Sequence, residues 1–494
     1  MIKCSVPGEL ARLLQGWEGD HLTLVLADPD FVFDNYIFLM HARSYCNVVD
    51  AWRRAAQPAH ALVALPATAR HVVVWAKSVD AAFLAAMPPG ARLAAVHVYE
   101  SGGSNSAAVV SACPQALAAL KVYAPLTALP PLDSALTVLD LAECYSLTSL
   151  PESVGQLTAL RTLNLKFCIS LACLPESVGQ LTALSTLSLE QCSALTYVPE
   201  SLARLAALET LDLPAGLRSL PPALGQLSEL RMLSAVECEW LTALPESVAQ
   251  LTALTTLDLS GCLVLECLPE CVGQLTALTT LNVARCSALT SLPESIGQLT
   301  ALTVLDLTRC DALGALPEST AQLVALTTLR LPPAIRFVPT WLTQLRSLET
   351  LDLHDCESLT MLPEALGDLT ALTSLHLSSC IALTELPGSV SRLTALTRLS
   401  LMHCHSITQL PASVGQLTAL TSLNVTFCAG MLLDSYDWTQ QVLSANRCLA
   451  EFRRRELLLV SQGLRRRGLR LPPELWRLID DVLWQSQPER QRPS

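Results

Sequence analysis

The sequence predicts an α/β solenoid, in which one short unit is tiled along most of the chain and supplies a parallel strand and a short helical or 3₁₀ turn each time. Three observations carry this. A Leu opening the pattern LxxLxL recurs at Leu136, Leu160, Leu184, Leu208, Leu230, Leu254, Leu278, Leu302, Leu326, Leu348, Leu372, Leu396 and Leu420. The step between them is constant except after Leu208 and Leu326, where it is two positions shorter. The thirteen units share LxxLxLxxCxxLxxLPxxxxxL, so each has an alternating half and a proline-bearing half. One face of such a unit is apolar and only a neighbouring turn can cover it.

Each half dictates its own local structure. In "TALTTLDLSG" apolar and polar residues alternate around Leu257 and Leu259, which suits a short strand with one face in and one face out. In "LPESVAQL" Pro245 stands where a helical or 3₁₀ turn starts, Glu246 lies at its positively polarised end, and Val248 and Leu251 return inward. Stacking such units predicts a concave parallel sheet on one side and the short turns on the convex side.

The chain divides accordingly. Residues 1–68 lie outside the pattern, contain helical-looking pieces such as "GELARLLQGW" and "VVDAWRRAA", and are expected to form an N-terminal cap. Residues 69–135 carry "ARHVVV", "LAAVHV" and "LAALKV", spaced by the same step as the full-length units, which predicts divergent turns. Residues 136–430 are the regular array. Residues 431–494 have helical spacing in "DWTQQVLSANRCLAEFRRRELLLVSQGLRRRG" and "LPPELWRLIDDVLW", and are expected to cap the other end.

Composition narrows the function classes. Of 494 residues, 51% are hydrophobic and 15% charged, which excludes a disordered chain. No uninterrupted apolar run approaches the roughly 18 residues that would span a bilayer. The start, "MIKCSVPGELARLLQGWEGD", lacks the apolar core of a secretory signal, so a cytoplasmic location is expected. A nuclear alternative rests on the clusters Arg453 to Arg455 and Arg465 to Arg467, whose simpler reading is a solvated helix face. The net charge of −12 argues against nucleic acid or a membrane surface as partner.

Eighteen cysteines would suggest disulfides in a small secreted protein, but a long apolar chain read as cytosolic keeps its thiols reduced. Eleven of them, from Cys144 to Cys428, occupy one position of the unit, and the two units lacking it are the two short ones. That coincidence predicts a structural role, a small buried side chain filling the corner after the strand. A single column cannot surround a zinc ion, and the CxxxC of Cys267 and Cys271 has no second ligand pair, so no metal is expected.

Specificity should then lie on the outward strand positions. Arg161, Lys166, Phe167, Arg231, Arg285, Arg309, Arg398 and Phe427 are the distinctive residues there, as Arg and aromatic side chains make effective anchors. In the column between the second and third Leu, Asp258, Asp306, Arg330, Asp352 and His376 stand out. Arg330 between Asp306 and Asp352 predicts an ion triad, and His354, Asp355, His376 and His403 a polar patch. Asp352, His376 and Ser400 spell a hydrolase triad in order, but parallel side chains on a sheet do not converge and no oxyanion loop accompanies Ser400, so no catalytic residue is assigned.

Units such as "LTALTTLDLSGCLVLECLPECVGQL" (Leu251 to Leu275) resemble the leucine-rich repeats of intracellular proteins, in particular those of plant disease-resistance proteins and Shoc2-like Ras-group proteins. The resemblance covers the regular array, which is the larger part of the chain. It implies a horseshoe that binds protein partners in signalling or defence, is not an enzyme, and needs no cofactor or small-molecule substrate. The Gly-rich GK[ST] loop of the resistance proteins is missing, so their nucleotide switch is not implied. "VPGELARLL" and "VVDAWRRAA" are also similar to the two ends of an F-box, and "VVSACPQALAALKVY" to repeats that follow one. This implies an alternative, a substrate receptor of a ubiquitin ligase.

Overall fold

The computed structural model describes residues 132 and 134–428, together with the strand segments Ile2–Lys3, His21–Leu26, His71–Ala76, Arg92–Tyr99 and Ala119–Tyr123. The expected C-terminal cap and its arginine clusters lie outside these residues, as do the helical pieces expected in the N-terminal cap. Contacts divide the chain into two units, Met1–Leu263 and Val264–Ser494.

In the first unit the regular strands are Val138–Asp140, Thr162–Asn164, Thr186–Ser188, Thr210–Asp212, Met232–Ser234 and Thr256–Asp258. Each pairs in parallel with the next, and the central leucines Leu139, Leu163, Leu187, Leu211, Leu233 and Leu257 fall in one register. The four earlier strands from His21–Leu26 to Ala119–Tyr123 pair in the same parallel sense and lead into Val138–Asp140. His21–Leu26 lies inside the segment read as a partly helical cap. Its alternation in "HLTLVL" is the strand signal that the helical-looking flanks obscured.

The second unit repeats the arrangement from Thr280–Asn282 to Ser422–Asn424, with Leu281, Leu305, Leu329, Leu351, Leu375, Leu399 and Leu423 in register. Each repeat from the one opening at Leu136 to the one opening at Leu396 closes with a five-residue 3₁₀ helix such as Glu246–Gln250, opened by Pro245 in extended geometry. Its bonds run from Val248 N–H to the Pro245 carbonyl and from Leu251 N–H to the Val248 carbonyl, both 3.0 Å. Proline suits this place because it presets φ and its missing N–H would have no partner at a helix start. Val248 and Leu251 are fully buried, as are the strand leucines. Each such side chain contributes about 1.5–3 kcal/mol.

The corner after the strand shows why cysteine and unit length change together. In a full-length unit two three-residue turns follow one another: Cys144 N–H donates to the Leu141 carbonyl at 3.2 Å, and Leu147 N–H to the Cys144 carbonyl at 3.0 Å. Joining them requires a left-handed residue just before the cysteine. All eleven corners have one: Gly261 at φ +80°, and Glu143, Phe167, Gln191, Glu237, Arg285, Arg309, Asp355, Ser379, His403 and Phe427 at φ between +57° and +63°. In the short units a single turn replaces the two, with Leu217 N–H on the Pro214 carbonyl at 3.0 Å and Ile335 N–H on the Pro332 carbonyl at 3.3 Å. The cysteine, the left-handed residue and two positions of length disappear in one step.

The thiols are buried and donate to the backbone of the preceding unit. Cys168 Sγ reaches the Leu141 carbonyl at 3.2 Å, Cys262 the Ala235 carbonyl at 3.3 Å and Cys404 the Leu377 carbonyl at 3.0 Å. After the short units the acceptors are the Pro214 and Pro332 carbonyls, reached by Cys238 at 3.2 Å and Cys356 at 3.5 Å. Burial pushes the thiols of Cys238, Cys310, Cys356 and Cys404 up to about 12. They stay protonated donors at neutral pH.

Two expectations follow from the corner. An unfolded thiol ionises near ~8.5, so between there and about 12 the folded chain holds protons that the unfolded chain has lost. Stability therefore falls as pH rises through that window, by up to about 1.4 kcal/mol per pH unit for each thiol. Melting curves at pH 8 and pH 10 check this, and Cys310→Ala with Cys404→Ala, weaker at pH 8, should lose less on the way to pH 10. Second, Ser379→Gly should raise the denaturation midpoint, because a side chain in the left-handed region costs roughly 1 kcal/mol. Gly261→Ala should lower it by about as much, since its new Cβ would also come within 3.2 Å of the Glu237 backbone.

Candidate binding face

The outward positions of the sheet divide by what the fold already asks of them. In the column that opens each strand, hydroxyls donate to the carbonyl of the equivalent residue one unit back. Thr255 Oγ1 reaches the Arg231 carbonyl at 3.0 Å, and Thr303, Thr327, Thr373, Thr397 and Thr421 do likewise at 2.9 to 3.1 Å. Arg161 and Arg231 stand in this column instead of threonine and are exposed. Arg398, one position on, is exposed as well.

The column of acids and amides has a different task. Asp258 Oδ1 accepts the Ser260 N–H at 2.9 Å, Asp306 Oδ1 the Thr308 N–H at 3.0 Å, and Asp352 Oδ1 the His354 N–H at 2.9 Å. Asn164, Asn282 and Asn424 hold the N–H two residues on in the same way, at 3.0 Å. These side chains cap the end of the strand. The sequence reading of Asp258, Asp306 and Asp352 as specificity letters did not contain this role, although the recurrence of Asp and Asn at one position is its signal.

Ser188, Ser234, His376 and Ser400 depart from this pattern, and so does Arg330. Two residues after Arg330 comes Pro332, which has no N–H to cap, so the position is released from carrying an acid or amide. Arg330 instead donates from Nη1 to Asp306 Oδ2 at 2.5 Å. The expected triad is a single pair among the described residues, because the Asp352 carboxylate is turned to its own corner. The apparent hydrolase series is also taken apart: His376 Nε2 lies 2.9 Å from Ser374 Oγ, and Ser400 Oγ lies 2.8 Å from Ser378 Oγ. Asp352, His376 and Ser400 each have another partner.

The histidines have separate partners. His354 Nε2 is 3.3 Å from Asp355 Oδ2, whereas His403 stacks on Phe427 with ring centres 4.7 Å apart and planes 5° from parallel. His403 also meets His405 edge to face. Among the described residues no group of three or more His, Cys, Asp or Glu side chains is placed to hold a metal ion.

The remaining outward residues ride on the left-handed corner. Phe167, Arg285, Arg309, His403 and Phe427 all occupy it. Lys166, one residue earlier, pairs with Glu190 at 2.5 Å and lies 5.3 Å over the Phe167 ring. Beside them in the first unit Tyr145 and Ile169, two residues beyond the corner, are about half exposed. Sequence reasoning passed over this pair because neither follows the repeat consensus.

The model of a leucine-rich repeat region matches residues 122–242 and 285–380. A comparison with curated proteins gives no match. Among solved structures, the chain is similar to a leucine-rich-repeat protein of Leptospira interrogans, at 25% identity and a TM-score of 0.61, over 75% of this chain and 92% of that one. It is also similar to an internalin of Listeria monocytogenes (19% identity, TM-score 0.45, 59% of this chain and 81% of that one). A third similarity is to the functional domain of InlJ of the same organism, which includes a cysteine ladder (23%, 0.40, 57% and 64%). The strand register, the 3₁₀ turns and the matched family model together give the described array the leucine-rich-repeat solenoid fold.

Proposed function

We propose that this protein is a non-enzymatic scaffold that docks protein partners on the exposed face of its parallel sheet, in intracellular signalling or defence. The observation that carries the reading is the division of labour on that face. Threonine hydroxyls and Asp or Asn side chains are bound to the backbone, whereas Arg161, Arg231 and Arg398 are exposed on or beside the strands, in columns where most other turns carry Thr or Ser. Large side chains with planar donors, held on a rigid sheet, suit protein recognition at low entropic cost. The dispersal of Asp352, His376 and Ser400 to separate partners supports a role without catalysis.

A reducing compartment suits the thiol column, since each thiol must keep its proton to donate to a carbonyl, and this supports the cytoplasm. For residues 1–68, the strand His21–Leu26 paired with His71–Ala76 supports a beginning of the array there rather than a ligase-recruiting module.

The test is reversal of charge at Arg161, Arg231 and Arg398 to Glu. None of the three is buried, so circular dichroism and the melting midpoint should be unchanged while captured protein partners are lost. Capture that survives all three reversals would show that the wrong face has been chosen.

A further inference from the structure

We propose that Arg285 and Arg309, in the second unit, form a clamp for an acidic protein segment whose carboxylates lie along the left-handed corners. This rests on the scaffold reading above and adds the chemistry of the partner.

Three unfavourable features meet at these residues without compensation inside the chain. Both are in the left-handed region, at φ +61° and +57°, where Gly261 shows the residue that the same corner takes without strain. They occupy equivalent corners of adjacent turns, joined by the bond from Arg285 N–H to the Thr308 carbonyl at 2.7 Å, so two like charges stand about 5 Å apart at the backbone. Both side chains are exposed, and neither makes an ion pair among the described residues. The Asp306 carboxylate nearby is engaged, taking the Thr308 N–H and hydroxyl and the Arg330 guanidinium. Strain that persists at a surface without an internal return points to an external partner.

The neighbouring turn leaves room for one. The short unit after Arg309 has no left-handed corner, so the row is interrupted at Pro332 and Pro333. In the first unit the equivalent interruption is bridged, since Gln191 Nε2 donates to Glu237 Oε2 across it at 2.5 Å. In the second unit the flanking residues are Arg309 and Asp355, and Asp355 pairs with His354 instead. Among the described residues no side-chain bond joins Arg309 to Asp355 across the gap, and Arg330, at the end of the short unit's strand, has its side chain 43% exposed. An extended acidic segment crossing the turns would meet Arg285, Arg309 and then Arg330. Guanidinium forks match carboxylates in both geometry and charge.

The experiment is fluorescence anisotropy of the full chain with a labelled ten-residue peptide alternating Glu and Gly, and with its Lys counterpart. The Glu peptide should bind saturably and more weakly as salt rises, and the Lys peptide should not bind. Arg285→Gly with Arg309→Gly should weaken binding at least about tenfold while the melting midpoint stays or rises, because glycine relieves the corner. Asn at both positions, which also accepts this conformation, should give the same loss. Arg346→Gln, a charge control away from the corners, should leave binding unchanged. No binding by the parent chain, equal binding by the Gly variant, or an equal loss in the Arg346 control would overturn the clamp. If those results appear while partner capture remains sensitive to Arg161, Arg231 and Arg398, only the acidic-segment inference fails; if capture is insensitive too, the scaffold reading fails with it.

Discussion

A leucine of one turn must lie over the leucine of the next, one strand spacing away, for either to be removed from water. Leu281 over Leu305 over Leu329 is the form this takes, and the rest of the structure adapts to keep that register. A three-residue strand offers few ladder bonds, so the chain has to reverse quickly on both sides of it and arrive back at the same height. The 3₁₀ turn does this on one side and the cysteine corner on the other. Burying a corner leaves backbone carbonyls without water, and each must find a donor. The thiol is small enough to enter the corner and supplies one. Ionising it would place a charge against a carbonyl in an apolar column, which is why burial drives its proton affinity up.

The short units show that register is conserved while the means are not. Removing two residues after Leu208 or Leu326 deletes one of the two consecutive turns, and Pro214 or Pro332 closes the remaining one. Leu211 still pairs with Leu233 and Leu329 with Leu351, because the shortening falls outside the strand. Proline then changes the outward chemistry as well: with no N–H to cap, the strand end no longer needs an acid or amide, and Arg330 becomes permissible there. A deletion in the corner thus permits a substitution on the exposed face without requiring one, for Asp212 keeps its acid before Pro214.

Much of this was legible because a fixed repeat period sorts inside from outside independently of any single residue. The strands, the proline-opened turns and the coupling of cysteine to unit length could all be read from it. What could not be read was which outward side chain is bound to the backbone, since Asp258, which caps an N–H, and Asp212 and Arg330, which stand two places before a proline, occupy the same column. Nor does a sequence mark a left-handed residue when glycine is absent from it. Only Gly261 carries the usual signature, and the other ten corners hide theirs behind Glu, Gln, Phe, Arg, Asp, Ser or His. His21–Leu26 was missed for a third reason, because a single divergent strand carries no repeat to reinforce it.

Glycine at every corner would make a less strained protein, so the choice of other residues there carries information. For part of the row the compensation is internal. His403 and Phe427 stack on one another, and Gln191 bonds Glu237 across a short turn. Phe167 lies under the Lys166 ammonium. These contacts join one turn to another or tie a corner to its own strand, and so return to the fold some of what the backbone conformation costs. Arg285 and Arg309 differ from them in chemistry rather than in geometry: they occupy the same conformation, but as exposed like charges they repel instead of attracting. Within one row of equivalent backbone positions, packing accounts for the aromatic and amide residues and leaves the two arginines without an internal reason to be there.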